Sequence, residues 1–130
     1  MKTTRNQDAN DVPKQGYVEE HFKGGALSSA GEYVDGEKHG EWKYYLRNGQ
    51  LKAIGRYRHG KMTGPWTWYR ENGKLMQTGS FEEERRTGVW KRYDADGNLY
   101  DEGEYRDDKP VGTWHTYNPD GSLRKTKHHK

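Results

Sequence analysis

Residues 40–61 read GEWKYYLRNGQLKAIGRYRHGK. Asn48 and Gly49 stand between two apolar-containing segments, and an asparagine–glycine pair in that setting is the strongest short-range signature of a β-hairpin. A helix over the same stretch is excluded by Gly40, Gly49, Gly55 and Gly60. Each would cost about 0.8 to 1 kcal/mol relative to alanine in a helix interior. The stretch therefore reads as strand, tight turn, strand.

The same pattern recurs at an interval of 24 residues. Taking glycine as offset zero gives Gly16, Gly40, Gly64, Gly88 and Gly112. Offset 2 is Val18, Trp42, Trp66, Trp90 and Trp114, and offset 5 is His21, Tyr45, Tyr69, Tyr93 and Tyr117. Offset 9 is glycine and offset 11 leucine in all five units, from Gly25 and Leu27 to Gly121 and Leu123. Offset 15 is glycine at 31, 55, 79 and 103, and offset 17 is Tyr33, Tyr57, Phe81 and Tyr105; the fifth unit replaces them with Lys127 and His129. Five hairpins joined by short polar connectors predict an all-β fold, an elongated antiparallel meander of about ten strands in a single twisted layer. The repeats span residues 16–125, with units starting at 16, 40, 64, 88 and 112. Residues 1–15 are expected to be a flexible segment and 126–130 a basic tail.

Two registers are open. A two-residue type I′ turn at Asn48-Gly49 puts Trp42 across from Gly55 and Gly40 across from Tyr57, so that each ring covers a bare glycine. It also gathers offsets 2, 11 and 17 on one face and sends Tyr45, Tyr69, Tyr93 and Tyr117 to the other. A three-residue loop, which suits Asn118-Pro119-Asp120-Gly121, would separate Trp from Leu. The first is preferred because it collects the repeated positions on one side.

Composition sets the energetic problem. Only 28% of the 130 residues are hydrophobic, yet they include ten tyrosines, five tryptophans and two phenylalanines. A core built mainly of rings is too thin for one hairpin to fold alone, so neighbouring units must supply the balance. Twenty-three basic residues nearly cancel twenty acidic ones. With no cysteine, disulfides, thiolate metal sites and cysteine nucleophiles are excluded. The amino-terminal stretch lacks the apolar segment of a secretory signal, which gives the cytoplasm as the expected address.

The motif G-x-W-x-x-Y-x-x-N-G-x-L-x-x-x-G-x-Y-x-x-G-K, nearly whole in Gly40 to Lys61, resembles the variant class of MORN repeats found in the YwqK-type family of toxin–antitoxin antitoxins. The likeness extends over about residues 16–125. It implies a β-meander whose surface binds and neutralises a protein toxin, with no catalytic motif to carry over. Unit one departs from it at Val18 and His21, and unit three at Glu84 and Arg85, where Gly60 and Lys61 stand in unit two.

The residues themselves offer little chemistry. His21, His39, His59 and His115 fall at different offsets, so a metal site is not expected, and His128 and His129 belong to the basic tail. No G-x-S-x-G or phosphate-loop pattern is present. No enzyme activity and no cofactor are expected. Residues 40–87 carry ten basic and five acidic side chains, but the alternating signs around them argue against nucleic acid. A protein partner remains, with attachment to an anionic membrane, or a structural scaffold, as the alternative.

Positions that break the period are free to be specific. Offset 4 runs Tyr44, Trp68, Arg92 and Thr116, side chains of the kind that anchor interfaces. The candidate binding residues are Tyr44, Tyr45, Arg47, Trp68, Tyr69, Arg70, Glu82, Glu83, Glu84, Arg85, Arg92 and Tyr93. Arg92→Ala is expected to weaken partner binding while leaving melting nearly unchanged.

Overall fold

A computed structural model describes residues 12–130. Every regular element in it is a strand: β1 Gly16–His21, β2 Leu27–Val34, β3 Glu37–Tyr45, β4 Leu51–Arg58, β5 Lys61–Tyr69, β6 Leu75–Glu82, β7 Arg85–Tyr93, β8 Leu99–Arg106, β9 Lys109–Tyr117 and β10 Leu123–His129. They form one antiparallel sheet in sequence order, with contacts concentrated between chain neighbours. The all-β meander is thus as expected, and the fifth unit keeps both of its strands. Thr126 to His129, set apart in the sequence as a basic tail, continue β10. The flexible segment expected over 1–15 falls, for 1–11, outside the described residues. Gln15 is tied down, its Nε2 donating to Asp35 Oδ1 at 2.7 Å.

The hairpin register is as expected, but the turn that produces it is not. Trp42 pairs with Gly55 and Gly40 with Tyr57, and the same pairs recur at Trp66–Gly79 and Trp90–Gly103. The loop after β3 nevertheless holds three residues: Gly49 N–H donates to Leu46 O at 2.9 Å and Leu46 N–H to Gln50 O at 2.8 Å. Gly49 takes φ 89°, the left-handed position that closes a type I turn. The register then slips by one residue between Tyr44–Ala53 and Tyr45–Leu51, leaving Lys52 as a bulge that restores the two-residue pairing sum. One consequence corrects the sequence reading. Leu51 pairs with Tyr45 and so shares its face, away from Trp42.

The two-residue turns sit instead at the connectors. Asp35-Gly36 and His59-Gly60 have positive φ at both positions, 51° and 81° in the first and 51° and 76° in the second, as a type I′ turn requires. Glu83-Glu84 and Asp107-Asp108 adopt the same shape without glycine, with φ 48° and 73°, and 50° and 70°. The N–H of the second turn residue reaches back one unit: Gly60 to Lys38 O at 3.1 Å, Glu84 to Met62 O at 2.9 Å and Asp108 to Arg86 O at 3.0 Å. The connectors therefore stack into a ladder along one edge of the sheet.

Ring cover of glycine is present with a different partner from the expected one. A Cβ built on Gly55 would fall inside the indole of Trp66, not of its hairpin partner Trp42; Gly31, Gly79 and Gly103 meet Trp42, Trp90 and Trp114 in the same way. Each indole leans onto the glycine of the preceding unit. Trp42, Trp66 and Trp90 also donate their Nε1–H to Glu32 O, Arg56 O and Ser80 O of that unit, at 3.0 to 3.1 Å. Gly40 carries no such ring, since nothing lies within 4 Å of its Cβ position; its φ of 69° marks the local register shift between β2 and β3.

The core is correspondingly thin. The buried apolar residues are Ala30, Tyr33, Trp42, Ala53, Trp66 and Trp90. Rings alternate along the sheet from Tyr33 through Trp42, Tyr57, Trp66, Phe81, Trp90, Tyr105 and Trp114 to His129, edge to face, with centroids 5.1 to 6.2 Å apart. Such pairs contribute about 0.5 to 1.5 kcal/mol each beyond burial.

Candidate functional site

Strand alternation places offset 4 on the indole face, beside this file of rings. In unit two Tyr44 lies between successive indoles, 6.3 Å from Trp42 and 6.4 Å from Trp66. In unit three Trp68 does the same, 5.8 Å from Trp66 and 5.6 Å from Trp90. The interplanar angles of 26° to 32° make a second, tilted-to-parallel pavement from Trp42 to Trp90. Offset 22 adds one cation above it, since Lys38 stands there in unit one and Met62 in unit two. Lys38 Nζ lies 4.8, 5.3 and 5.1 Å from the ring centroids of Trp42, Tyr44 and Tyr57, inside cation–π range, and donates to Tyr44 Oη at 2.9 Å. Burial, and then the 2.7 Å hydrogen bond with Tyr57, push the Tyr44 phenol well above the ordinary tyrosine range.

Unit four interrupts the pavement. Arg92 occupies offset 4, and both Nε and Nη2 donate to the carboxylate of Asp101, the former at 2.9 Å; its guanidinium also stands 5.6 Å from the Tyr100 ring. Asp101 is buried, with 9% of its side chain exposed against 57% for Arg92. Removing the guanidinium would leave a buried carboxylate unpaired, so Arg92→Ala is expected to lower stability, contrary to the sequence-based expectation. Asp101 was missed although the hairpin register pairs it directly with Arg92, a signal already available at offset 13.

A cavity of about 370 Å³ opens beside this pair, lined by Trp68, Phe81, Trp90, Arg92, Tyr105 and Trp114, with Gln77 and Arg86 completing the wall. Arg86 stands 4.2 Å from the Tyr105 centroid and donates from Nε to Asp108 Oδ1 at 2.6 Å, which holds the Asp108 carboxyl below its usual range. Trp114 differs from the other indoles in having a buried Nε1 without a hydrogen-bond partner.

The twelve candidate residues do not converge on one surface. Tyr44, Trp68 and Arg92 share the indole face, while Tyr45, Tyr69 and Tyr93 follow them in sequence and point to the reverse face. Arg47 and Arg70 lie at the edge of three-residue turns, where they brace the stack: Arg47 Nη1 donates to Lys23 O at 3.2 Å and Arg70 Nη2 to Tyr93 O at 2.8 Å. Glu82, Glu83, Glu84 and Arg85 occupy the opposite edge, at the connector between β6 and β7. Among the described residues no group of three or more metal-ligating side chains comes together, and no helix is long and apolar enough to cross a membrane.

An open stack of hairpins, stabilised unit against unit and presenting two broad faces, is the architecture of a repeat-built binding module. The family described as MORN repeat variant matches residues 38–59, 62–83 and 86–107, half of the chain, and the chain belongs to that family. Such repeats are typically protein- or membrane-binding modules and are generally non-enzymatic. Among curated proteins none matches this chain.

Solved structures similar to it include an S. aureus TarM mutant in complex with fondaparinux, alpha-GlcNAc-glycerol and UDP, at 14% identity and TM-score 0.45 over 85% of this chain and 19% of that one. A second TarM structure matches at 18% identity and TM-score 0.43 over 69% of this chain and 18% of that one. A GtfA/B complex bound to UDP and GlcNAc matches at 15% identity and TM-score 0.34, over 92% and 25%. The chain spans a quarter or less of the length of these proteins, and likenesses of this strength carry no argument about function.

Proposed function

We propose that this chain is a non-catalytic bacterial antitoxin or immunity protein, acting in the cytoplasm, whose repeat surface binds and neutralises a protein toxin. The observation that carries the reading is the offset-four row on the indole face. It shares a sheet with a file of rings repeated in every unit, yet its own members are Glu20, Tyr44, Trp68, Arg92 and Thr116. A scaffold whose packing repeats while one row changes chemistry is suited to recognising a single irregular partner. The resemblance of Gly40 to Lys61 to the YwqK-type motif supports the toxin as that partner.

Co-expression with the neighbouring gene product tests the reading. The expected result is that the product is harmful alone, harmless with this chain, and recovered with it as a complex. A harmless product and no complex would contradict it. Sedimentation with anionic vesicles that weakens at higher salt, in the absence of any protein complex, would favour membrane attachment instead.

A further inference from the structure

The open cavity on the indole face has the form of a missing ring. In units two and three the space between consecutive indoles is filled from within, by Tyr44 paired with Ala53 and by Trp68 paired with Gln77. In unit four the corresponding pair is Arg92 and Asp101, and the guanidinium is drawn onto the carboxylate. The position between Trp90 and Trp114 therefore lacks the ring that its two predecessors possess, and the cavity lies there. At about 370 Å³ it is at the small end of the ~300 to 1,000 Å³ of ligand sites, suited to one ring-bearing side chain.

Charge narrows the choice of occupant. The charged side chains lining the cavity are Arg86 and Arg92, whose own carboxylate partners, Asp108 and Asp101, stand outside the lining. A ring with a hydroxyl, carried between acidic groups, matches these walls: its face stacks on the indoles, its acids meet the guanidinium groups, and its oxygen meets Arg86 and Tyr105, which hold the places that Lys38 and Tyr57 hold against the Tyr44 hydroxyl.

The geometry points to this slot as the receptor for a tyrosine flanked by acidic residues on a protein partner, the partner's ring completing the pavement that unit four leaves open. The inference rests on the reading of the chain as a protein-binding module and adds the chemistry that one part of its surface selects.

The test uses the full ¹⁵N-labelled chain and its five indole N–H resonances. Acetyl-Glu-Tyr-Glu-amide is expected to shift the Trp90 and Trp114 signals and leave Trp42 unmoved. The neutral acetyl-Gln-Tyr-Gln-amide is expected to bind at least fivefold more weakly. Arg92→Tyr combined with Asp101→Ala copies the Tyr44 and Ala53 pair, fills the slot from within, and should abolish the shifts while the melting temperature holds or rises. Arg92→Gln combined with Asp101→Asn keeps the slot open with Arg86 as the charged side chain left in its wall and should reduce the preference for the acidic peptide, which provides a readout if the first variant does not fold. Unmoved Trp90 and Trp114 signals, or shifts that persist in the filled variant, would overturn the inference. So would adenosine monophosphate displacing those signals where the peptide does not, because the slot would then be a nucleotide site. Loss of the toxin complex with peptide shifts intact would count against the antitoxin reading alone; loss of the shifts with the complex intact would count against the slot alone.

Discussion

At Gly55 the absence of a side chain is a packing requirement, whereas at Glu84 the presence of one is a conformational liability. The Trp66 indole occupies the volume a Cβ at Gly55 would need. Glu84, with φ 73°, takes the left-handed position that Gly36 and Gly60 hold in the preceding connectors. An L residue there costs roughly 1 to 2 kcal/mol. Glu84→Gly is accordingly expected to stabilise the protein by about 1 kcal/mol, measured by urea unfolding; an unchanged or lower stability would show that the carboxylate compensates in the folded state. Sequence reasoning found both positions by their place in the 24-residue period. It assigned Gly55 to the wrong tryptophan because spacing specifies which backbones pair but not the direction in which a long indole leans.

Among the elements, the turns show most clearly what pattern can and cannot reveal. The Asn-Gly and Asp-Gly pairs mark the hairpins correctly, but a two-residue turn and a three-residue turn followed by a bulge deliver the same pairing of Trp42 with Gly55. Only the second accounts for Leu51 sharing the face of Tyr45. The Asx side chains act within their own turns, where Asn48, Asn72 and Asp120 each accept the backbone N–H two residues on, at 2.9 Å.

These contacts also set the response to acid. The Asp94 carboxyl is held below its usual range chiefly by the Asn98 backbone N–H, Asp108 by Arg86, and Asp120 by Ser122. A carboxylate whose folded pKa is depressed stabilises the fold fully above its unfolded value, about 3.9, and loses that contribution as pH falls through the folded value. The melting temperature should therefore stay level from about pH 7 to 5 and fall below about 4, with Asp108→Asn showing a smaller drop. A profile that remains flat to pH 3 would contradict this account of the turns.

For the whole molecule, stability passes from unit to unit. The edge-to-face file, the indole N–H bonds and the stacked connectors each join one hairpin to its neighbour, so the chain behaves as a one-dimensional array. Repetition made this architecture legible from spacing alone. The binding face is harder to read, because the candidates mix residues that break the period with the repeated tyrosines Tyr45, Tyr69 and Tyr93, and together they occupy both faces and both edges. Arg92 illustrates the difficulty: its chemistry suggested a surface anchor, while its partner Asp101 makes it part of the folded structure as well.

The most direct test is a double-mutant cycle on Trp90, comparing the glycine its indole leans on with the glycine its backbone pairs with. Gly79→Ala should be strongly destabilising alone and add little once Trp90→Ala has removed the ring that a Cβ at 79 would meet. Gly103→Ala, whose Cβ would meet Trp114, should combine with Trp90→Ala nearly additively. Coupling of Trp90 to Gly103 in place of Gly79, or additive costs at both glycines, would contradict the unit-to-unit lock on which the fold depends.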